Sequence, residues 1–365
     1  MESRNTYAEV NVKKFLRNIF EISKRIEMPV APVLKADAYG HGAVELAHAC
    51  QKDGVGFLIV AFLEEGIQLR EAGITLPILV LNYFDPLYTR EALEHELSIT
   101  IYSSEQMKEI AHHLKQDEKM KVHINVDTGM SRLGHGFEGS LKLYEEIGKD
   151  PRFLLEGVYT HFSSADEPED KASVEQIEKF KDFLSRIERP RYVHVSNSAA
   201  ATVLKVRVGN MCRVGIASYG LQPSSKVQID YLQPVMSVHS SVSFVKKLYK
   251  GQSVGYGHTF TADKDMRVAT IPFGYADGLP RSLSNKGYVL IHSKRARILG
   301  RVSMDQIVVD VSDIFDVKMG DDVIVMGTSG NEKITAEEIA EMANTINYEI
   351  VCGISKRVPR IYVEE

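Results

Sequence analysis

The sequence predicts a closed (β/α)8 barrel followed by a mainly β domain, and three observations predict it. About eight short apolar runs alternate with amphipathic stretches over roughly the first 220 residues. Reactive polar residues fall where those runs end, which is where a barrel gathers its functional groups. Beyond about Gln222 the helical period fades, and segments rich in valine, isoleucine and threonine take over, with turn residues between them. No single GxGxxG fingerprint is present, so closure is favoured over an open doubly wound sheet.

A short extended segment opens the chain. Residues 11–26 then place Val12, Phe15, Leu16, Ile19, Ile22 and Ile26 on one helical face. The next run, Val30-Ala-Pro-Val-Leu, reads as a buried strand and stops abruptly on Lys35. Strand and helix patterns recur at 55–61 with 63–72, at 77–82 with 86–94, and at 98–102 with a helix opened by the capping box Ser103-x-x-Gln106. Residues 121–126 and the helix after them, 153–161 with the charged helix 170–188, then 191–196 and 211–220 complete the barrel. Lys35, Asp127, His161, and Asn197 with Ser198 all stand at the ends of these runs. Helix capping would account for Asn197 and Ser198 but not for Lys35 or His161.

In the second part, 236–249, 266–273, 288–299, 306–311 and 322–326 read as strands, and one helix, 335–346, opens on the capping box Thr335-x-x-Glu338. The linker Gln222-Pro-Ser-Ser is short, which divides the chain into a barrel over 1–224 and a β domain over 225–365. The first ten or so residues are compatible with either domain.

Composition narrows the function. With 44% hydrophobic and 25% charged residues the 365-residue chain is ordinary for a globular protein. A net charge of −5, with both signs interspersed, leaves no basic face for nucleic acid or an anionic membrane, so the expected partner is a small molecule. Cys50, Cys212 and Cys352 are few, odd in number and without C-x-x-C spacing, which argues against zinc or a disulfide framework and for a reducing compartment. The opening Met-Glu-Ser-Arg-Asn lacks an apolar signal core, and the longest apolar run, 54–63, is too short to span a bilayer. The expectation is a cytoplasmic protein without a metal.

Lys35 is the pivotal residue. A lysine partly desolvated at the exit of a core strand has its amine pKa pushed down and can form an imine with an aldehyde. The same position also suits a lysine that merely leaves the core and snorkels into water. Its neighbours bear on the choice: Lys35-Ala-Asp-Ala-Tyr39-Gly-His-Gly resembles the pyridoxal-phosphate lysine motif of alanine racemases. Further matches occur in the family's order, at Asp127-Thr-Gly-Met-Ser-Arg132-Leu-Gly, Tyr159-Thr-His161-Phe, His194-Val-Ser-Asn197-Ser198, Arg213-Val-Gly215-Ile216 and Gly255-Tyr256-Gly-His. Gly274-Tyr275-Ala-Asp-Gly, Ser303-Met304-Asp305-Gln and Thr345-Ile-Asn-Tyr348-Glu complete the set across nearly the whole chain.

The resemblance implies that Lys35 carries pyridoxal 5′-phosphate as an imine and that Lys35 and Tyr256 move protons on opposite faces of the substrate. A phenol titrates near 10, so Tyr256 needs cationic help, which the resemblance assigns to His161 and Arg213. Outside the family, Tyr256 between glycines reads as a turn aromatic and Arg213 as a surface ion pair. As the ring-nitrogen partner, an arginine donates a hydrogen bond without giving up a proton, which favours return of the Cα proton over transamination. The phosphate falls to Ser198, the amides of Gly215 and Ile216, and the hydroxyls of Tyr39 and Tyr348. Arg132 reaches the cofactor's phenolic oxygen and the substrate carboxylate; Tyr275 and Met304 narrow the substrate pocket, with Asp305 in support. Two positions depart from the family. Asn125 stands where some relatives carry a carbamylated lysine, which suggests a chloride between Asn125 and Arg132, and Ser303 stands where many have cysteine. The implied activity is interconversion of L- and D-alanine for peptidoglycan, by a homodimer in which Tyr256 and Met304 serve the other chain's barrel. The alternatives are a broader or serine-preferring racemase and a barrel-type basic amino-acid decarboxylase; a cofactor carrier without catalysis fits less well, because it leaves the second domain unused.

Overall fold

The computed structural model describes residues 4–167, 169 and 171–364. They form two compact units: Phe15–Ala38 with Gly42–Leu232, and the segment up to Lys14 with Tyr39–His41 and the segment from Gln233 onward. Strand β1, Tyr7–Asn11, belongs to the second of these.

The first unit is a barrel of parallel strands: β2 Val30–Pro32, β3 Leu58–Val60, β4 Ile78–Val80, β5 Ser98–Ile101, β6 Met120–Asn125, β7 Phe153–Tyr159, β8 Tyr192–His194 and β9 Cys212–Val214. Strands β3 to β8 pair in sequence order, and β2 pairs β9 with Val30 opposite Cys212. Bridges from Val33 to Ile59 and from His194 to Met211 join the two sheets and close the barrel. Strands β2, β3, β4 and β9 are buried along their whole length, as parallel strands covered by helices must be. The helices that alternate with them are Val12–Ile26, Ala43–Lys52, Leu63–Glu71, Thr89–Glu94, Ser104–His112, Phe137–Lys149 and Ala172–Ser185.

Several local expectations change. The charged helix runs over Ala172–Ser185, and Asp170, its expected start, lies outside the described residues. Between β8 and β9 a single wide helical turn, Ala200–Leu204, replaces a full helix. The chain folds straight back there because Gly209, at φ +99°, abuts the backbone of β8; a Cβ would lie 2.1 Å from the Val193 carbonyl oxygen. The run 211–220 is β9 followed by the tight turn Ile216–Tyr219, pinned by the Tyr219 hydroxyl donating to the Val33 carbonyl at 2.7 Å. Ser103 caps its helix by accepting the Gln106 amide at 3.1 Å, but the Gln106 carboxamide accepts from Tyr102 instead of closing the box on Ser103.

The second unit is built on one large sheet. Its strands are β10 Met236–Ser241, β11 Phe244–Leu248, β14 Met266–Ile271, β15 Tyr288–Ile291, β16 Lys294–Leu299, β17 Ile307–Asp310, β18 Asp322–Ser329, β19 Glu332–Ile334 and β20 Arg360–Val363, while β12 Ser253–Val254 and β13 Phe260–Thr261 pair separately. The order is β11-β14-β17-β16-β15-β18-β10-β1-β20, with β1 antiparallel to β10 and parallel to β20, so the opening segment joins the β unit. The runs 236–249 and 288–299 are each two strands. In the second run His292 and Ser293, at φ +49° and +58°, make a two-residue turn whose twist suits a hairpin, although neither is a glycine. The helix expected over 335–346 is Ala336–Ala343; left-handed Asn344 ends it, and a second helix, Asn347–Gly353, carries Tyr348. Thr335 accepts from the Glu338 amide at 3.1 Å, but the Glu338 carboxylate pairs with Arg295, so this box also closes on one side only.

Candidate active site

Lys35 is held between the end of β2 and an unusual turn. Val33 and Leu34 donate to the Val214 and Ile59 carbonyls at 2.9 and 2.7 Å, which fixes the exit of β2. Ala36, Asp37, Ala38 and Tyr39 then all lie near φ +53°, a left-handed turn that costs about 1–2 kcal/mol for each residue with a Cβ. Hydrogen bonds hold it. The Ala38 amide donates to the Leu34 carbonyl at 2.7 Å, the Gly42 amide to the Asp37 carbonyl at 2.9 Å, and the Ala43 amide to Asp37 Oδ1 at 2.8 Å. Glu65 accepts the Ala36 amide at 2.6 Å through Oε1, and those of Ala61 and Phe62 at 2.8 and 3.1 Å through Oε2. One carboxylate thus ties the segment after Lys35 to the end of β3.

Half-buried Lys35 lines a cavity of about 210 Å³ in the barrel, together with Asn82, Asn125, Arg132, Tyr159, His161 and Arg213. Arg213, in β9, is almost wholly buried. Its Nη1 donates to the His194 carbonyl at 2.8 Å and to His194 Nδ1 at 2.9 Å; its Nη2 donates to the Thr160 carbonyl at 2.8 Å and to His161 Nδ1 at 3.1 Å. A guanidinium has five N–H bonds, and among the described residues the one on Nε has no acceptor. Burial lowers Arg213 to about 10, which leaves it a cation at neutral pH. Burial, then Arg213, Arg132 and Lys35, push His161 down to about 3, so it is a neutral acceptor. The Tyr159 ring stacks on His194 at 4.9 Å and lies under the Arg213 guanidinium at 4.9 Å, completing the wall.

Arg132 rides on a loop organised by Asp127, whose Oδ1 accepts the amides of Gly129 and Ser131 at 2.9 and 3.0 Å. Gly134, at φ +93°, packs where a Cβ would lie 2.3 Å from the Asn125 carbonyl oxygen, so the loop folds back against β6. Ser198 Oγ accepts from the Gly215 and Ala217 amides at 3.1 and 3.3 Å, gathering one hydroxyl and the backbone around Ile216. In the other unit, the Tyr39 and Tyr348 rings meet at 6.1 Å. Tyr275 and Ala276 donate to the Ser303 and Met304 carbonyls, both at 3.0 Å, which brings Tyr275, Met304 and Asp305 together. Tyr256 stands in a tight turn between Gly255 and Gly257, at φ +67° and +72°, and is 71% exposed.

Tyr159, His194 and His123 complete the supporting layer, a role that sequence reasoning does not assign to them. His123 Nδ1 faces His194 Nε2 at 2.9 Å, and both rings are fully buried. The signal was present as alternation: polar residues two apart, His123 with Asn125 and Tyr159 with His161, put successive side chains on the same face of a strand.

These donors suit pyridoxal phosphate. Lys35 would offer an amine for its aldehyde, Arg213 Nε–H a donor for its ring nitrogen, and Ser198 with the neighbouring amides a cradle for its phosphate. Among the described residues no group of three or more His, Cys, Asp or Glu is arranged to hold a metal ion, and no helix is long and apolar enough to cross a membrane.

Comparison with known proteins accords with this geometry. Residues 10–223 match the family model for the alanine racemase N-terminal domain, and 235–362 match that for its C-terminal domain. The chain is 42% identical to alanine racemase from Carboxydothermus hydrogenoformans, over 99% of this chain and 100% of that one. It superposes on the crystal structure of alanine racemase from E. faecalis with a TM-score of 0.95 at 38% identity, covering 99% of this chain and 98% of the other. The enzyme from Bacillus anthracis, solved with bound L-Ala-P, gives 0.93 at 37% identity, with 99% and 96% covered. The decarboxylase alternative is set aside by these full-length matches, and the chain belongs to the alanine racemase family of isomerases.

Proposed function

We propose that the chain interconverts L- and D-alanine with pyridoxal 5′-phosphate as cofactor and Lys35 and Tyr256 as the two proton-transfer residues, supplying D-alanine for peptidoglycan. The observation that carries this is the gathering of Lys35, Arg132, His161 and Arg213 on one barrel cavity. When bound, the cofactor supplies an electron sink for the pair left as the Cα proton departs. Lys35 takes or returns that proton on one face and Tyr256 on the other. Arg213 stays a cation at neutral pH and would donate a hydrogen bond to the cofactor's ring nitrogen without surrendering its proton, which would favour return of the proton to Cα over transamination.

Ser198, Gly215, Ile216, Tyr39 and Tyr348 hold the phosphate, and Arg132 orients the substrate carboxylate. Asn125 lines the same cavity as Arg132, which supports a chloride between them. Tyr275 and Met304, with Asp305 behind, confine the substrate side chain. The exposure of Tyr256 in the single chain favours a homodimer with shared sites, since a proton-transfer group needs shelter from water. Cys50 and Cys212, buried and outside any disulfide, suit a cytoplasmic enzyme. A broader range that includes serine is favoured by Ser303 alone.

The test is chiral detection of product from L-alanine and L-serine with the cofactor-loaded chain and with Lys35→Ala. D-alanine should form with the native chain and fall by about a thousandfold or more in the variant, together with loss of the absorbance of covalently held cofactor. Retention of that absorbance by Lys35→Ala would refute the assignment of Lys35.

A further inference from the structure

We propose that Asp277 and Arg357 are positioning residues that lock the Tyr275 turn to the Met304 loop, and thereby set how tightly and how selectively the substrate side chain is held; this rests on the reading that Tyr275 and Met304 line the substrate pocket. Asp277 is wholly buried. Its Oδ1 accepts from Arg357 Nε at 2.8 Å and pairs with Arg4 at 2.8 Å, while Oδ2 accepts the Gly274 amide, immediately before Tyr275, at 2.9 Å. The Asp277 carbonyl takes the Ser355 amide at 3.1 Å, tying the turn to the segment that carries Arg357.

A buried carboxylate is tolerated only when paired, and two arginines with a backbone amide already satisfy that need. Arg357 goes further. Its Nη2 donates at 2.8 Å to Asp305, the residue after Met304, whose side chain is 61% exposed. That last link contributes nothing to pairing Asp277; what it does is join the two loops.

The backbones explain why such a link matters. A Cβ on Gly274 would lie 2.3 Å from the Met304 carbonyl oxygen and 2.4 Å from that of Ser303, so the loops touch main chain to main chain. Tyr275 and Met304 are themselves 41% and 52% exposed, so packing within the chain covers only part of each side chain. Their placement also follows the backbone, which is joined by the Tyr275 and Ala276 amides donating to the Ser303 and Met304 carbonyls and is braced beyond these by Asp277, Arg357 and Asp305. Within Gly274-Tyr275-Ala-Asp-Gly, the glycine allows the approach, Tyr275 faces outward, Asp277 anchors, and Gly278, at φ +118°, passes where a Cβ would lie 2.6 Å from the Gly353 carbonyl oxygen.

The test uses the cofactor-loaded enzyme with Arg357→Lys, which keeps the charge but loses the planar fork, and Asp305→Asn, which cuts only the outer link. For both, KM for L-alanine should rise about tenfold while kcat changes by less than about twofold, and the preference for alanine over serine should narrow. Amide hydrogen exchange should quicken in 272–279 and 302–306 together. Unchanged KM and preference in both variants, or faster exchange in one segment alone, would overturn the proposal. Met304→Ala separates it from the reading beneath it. If that variant leaves the preference untouched, the pocket assignment has failed, and exchange alone decides whether the two loops are locked.

Discussion

Arg213 decides where the protons on two other residues sit. A guanidinium can only donate, so His194 Nδ1 must accept, which puts the His194 proton on Nε2 and aims it at His123 Nδ1. His123 then carries its proton on Nε2, which has no partner among the described residues. Burial, with Arg213 adding to it, lowers His123 to about 3 and His194 well below its ordinary value. Both are neutral when folded, whereas the unfolded chain protonates them near 6.5. The unfolded state therefore binds more protons below that pH. Stability is full above about 6.5 and falls as pH drops, for His123 toward about 3, by up to about 1.4 kcal/mol per pH unit for that ring, with His194 acting in the same direction. His161 is less fully covered, so the two interior rings carry this expectation. Urea midpoints measured across this range should show a shallower slope in His123→Gln, even though the variant is less stable overall; an unchanged slope would show that His123 is already charged in the fold. Arg213→Lys should lose about 2–4 kcal/mol, because one ammonium cannot serve the carbonyls of Thr160 and His194 together with both imidazoles. Denaturant unfolding of the two proteins side by side measures that difference.

At the scale of the element, the left-handed turn after β2 is the least expected feature, since alanine, aspartate and tyrosine carry no mark of it in the sequence. It persists because the amides of the turn find acceptors: Ala38 in the Leu34 carbonyl, Gly42 in the Asp37 carbonyl, Ala43 in the Asp37 carboxylate and Ala36 in that of Glu65. Asp37→Ala removes the partner of the Ala43 amide and should cost about 1 kcal/mol, the usual loss of a capping side chain. Exposed Ala36→Gly should cost less than about 0.5 kcal/mol, or even stabilise, where the same change inside a right-handed helix costs about 1. Thermal unfolding of both variants checks the pair, and a loss near 1 kcal/mol for Ala36→Gly would mean the turn is not left-handed. The helix starts at Ser103 and Thr335 were legible because a hydroxyl three residues before an amide is a local signal. The fate of Gln106 and Glu338 was not, because Tyr102 and Arg295 reach them through the fold. The hairpin at His292 was missed for the same reason: strand pairing imposes its positive φ values, and its side chains do not.

For the whole molecule, the strand and helix alternation was readable because each barrel strand is a continuous apolar run, and Lys35, Asp127 and His161 were placed by where those runs end. What brings His123, His194 and Arg213 into one layer is closure, which no single segment encodes. Shared sites are tested by mixing Lys35→Ala with Tyr256→Phe, dissociating the chains and letting them reassemble. If sites are shared, one site in each heterodimer receives an intact Lys35 and an intact Tyr256, and activity should reappear. If each chain builds its own site, mixing restores nothing beyond the parents, provided heterodimers are shown to form. The position of β1 has a consequence for how the protein is made. Ala8 pairs with Val238 on one side and with Arg360 on the other, so a strand synthesised near the beginning waits for partners synthesised after the whole barrel. The barrel's strands mostly pair with near neighbours in sequence and can assemble while synthesis continues, whereas β1 has both edges unpaired until the β unit emerges. During that interval it is a short, alternating, aggregation-prone edge, so the yield of folded protein should depend on how quickly translation delivers β10 and β20, or on a chaperone that holds Tyr7–Asn11 until they arrive.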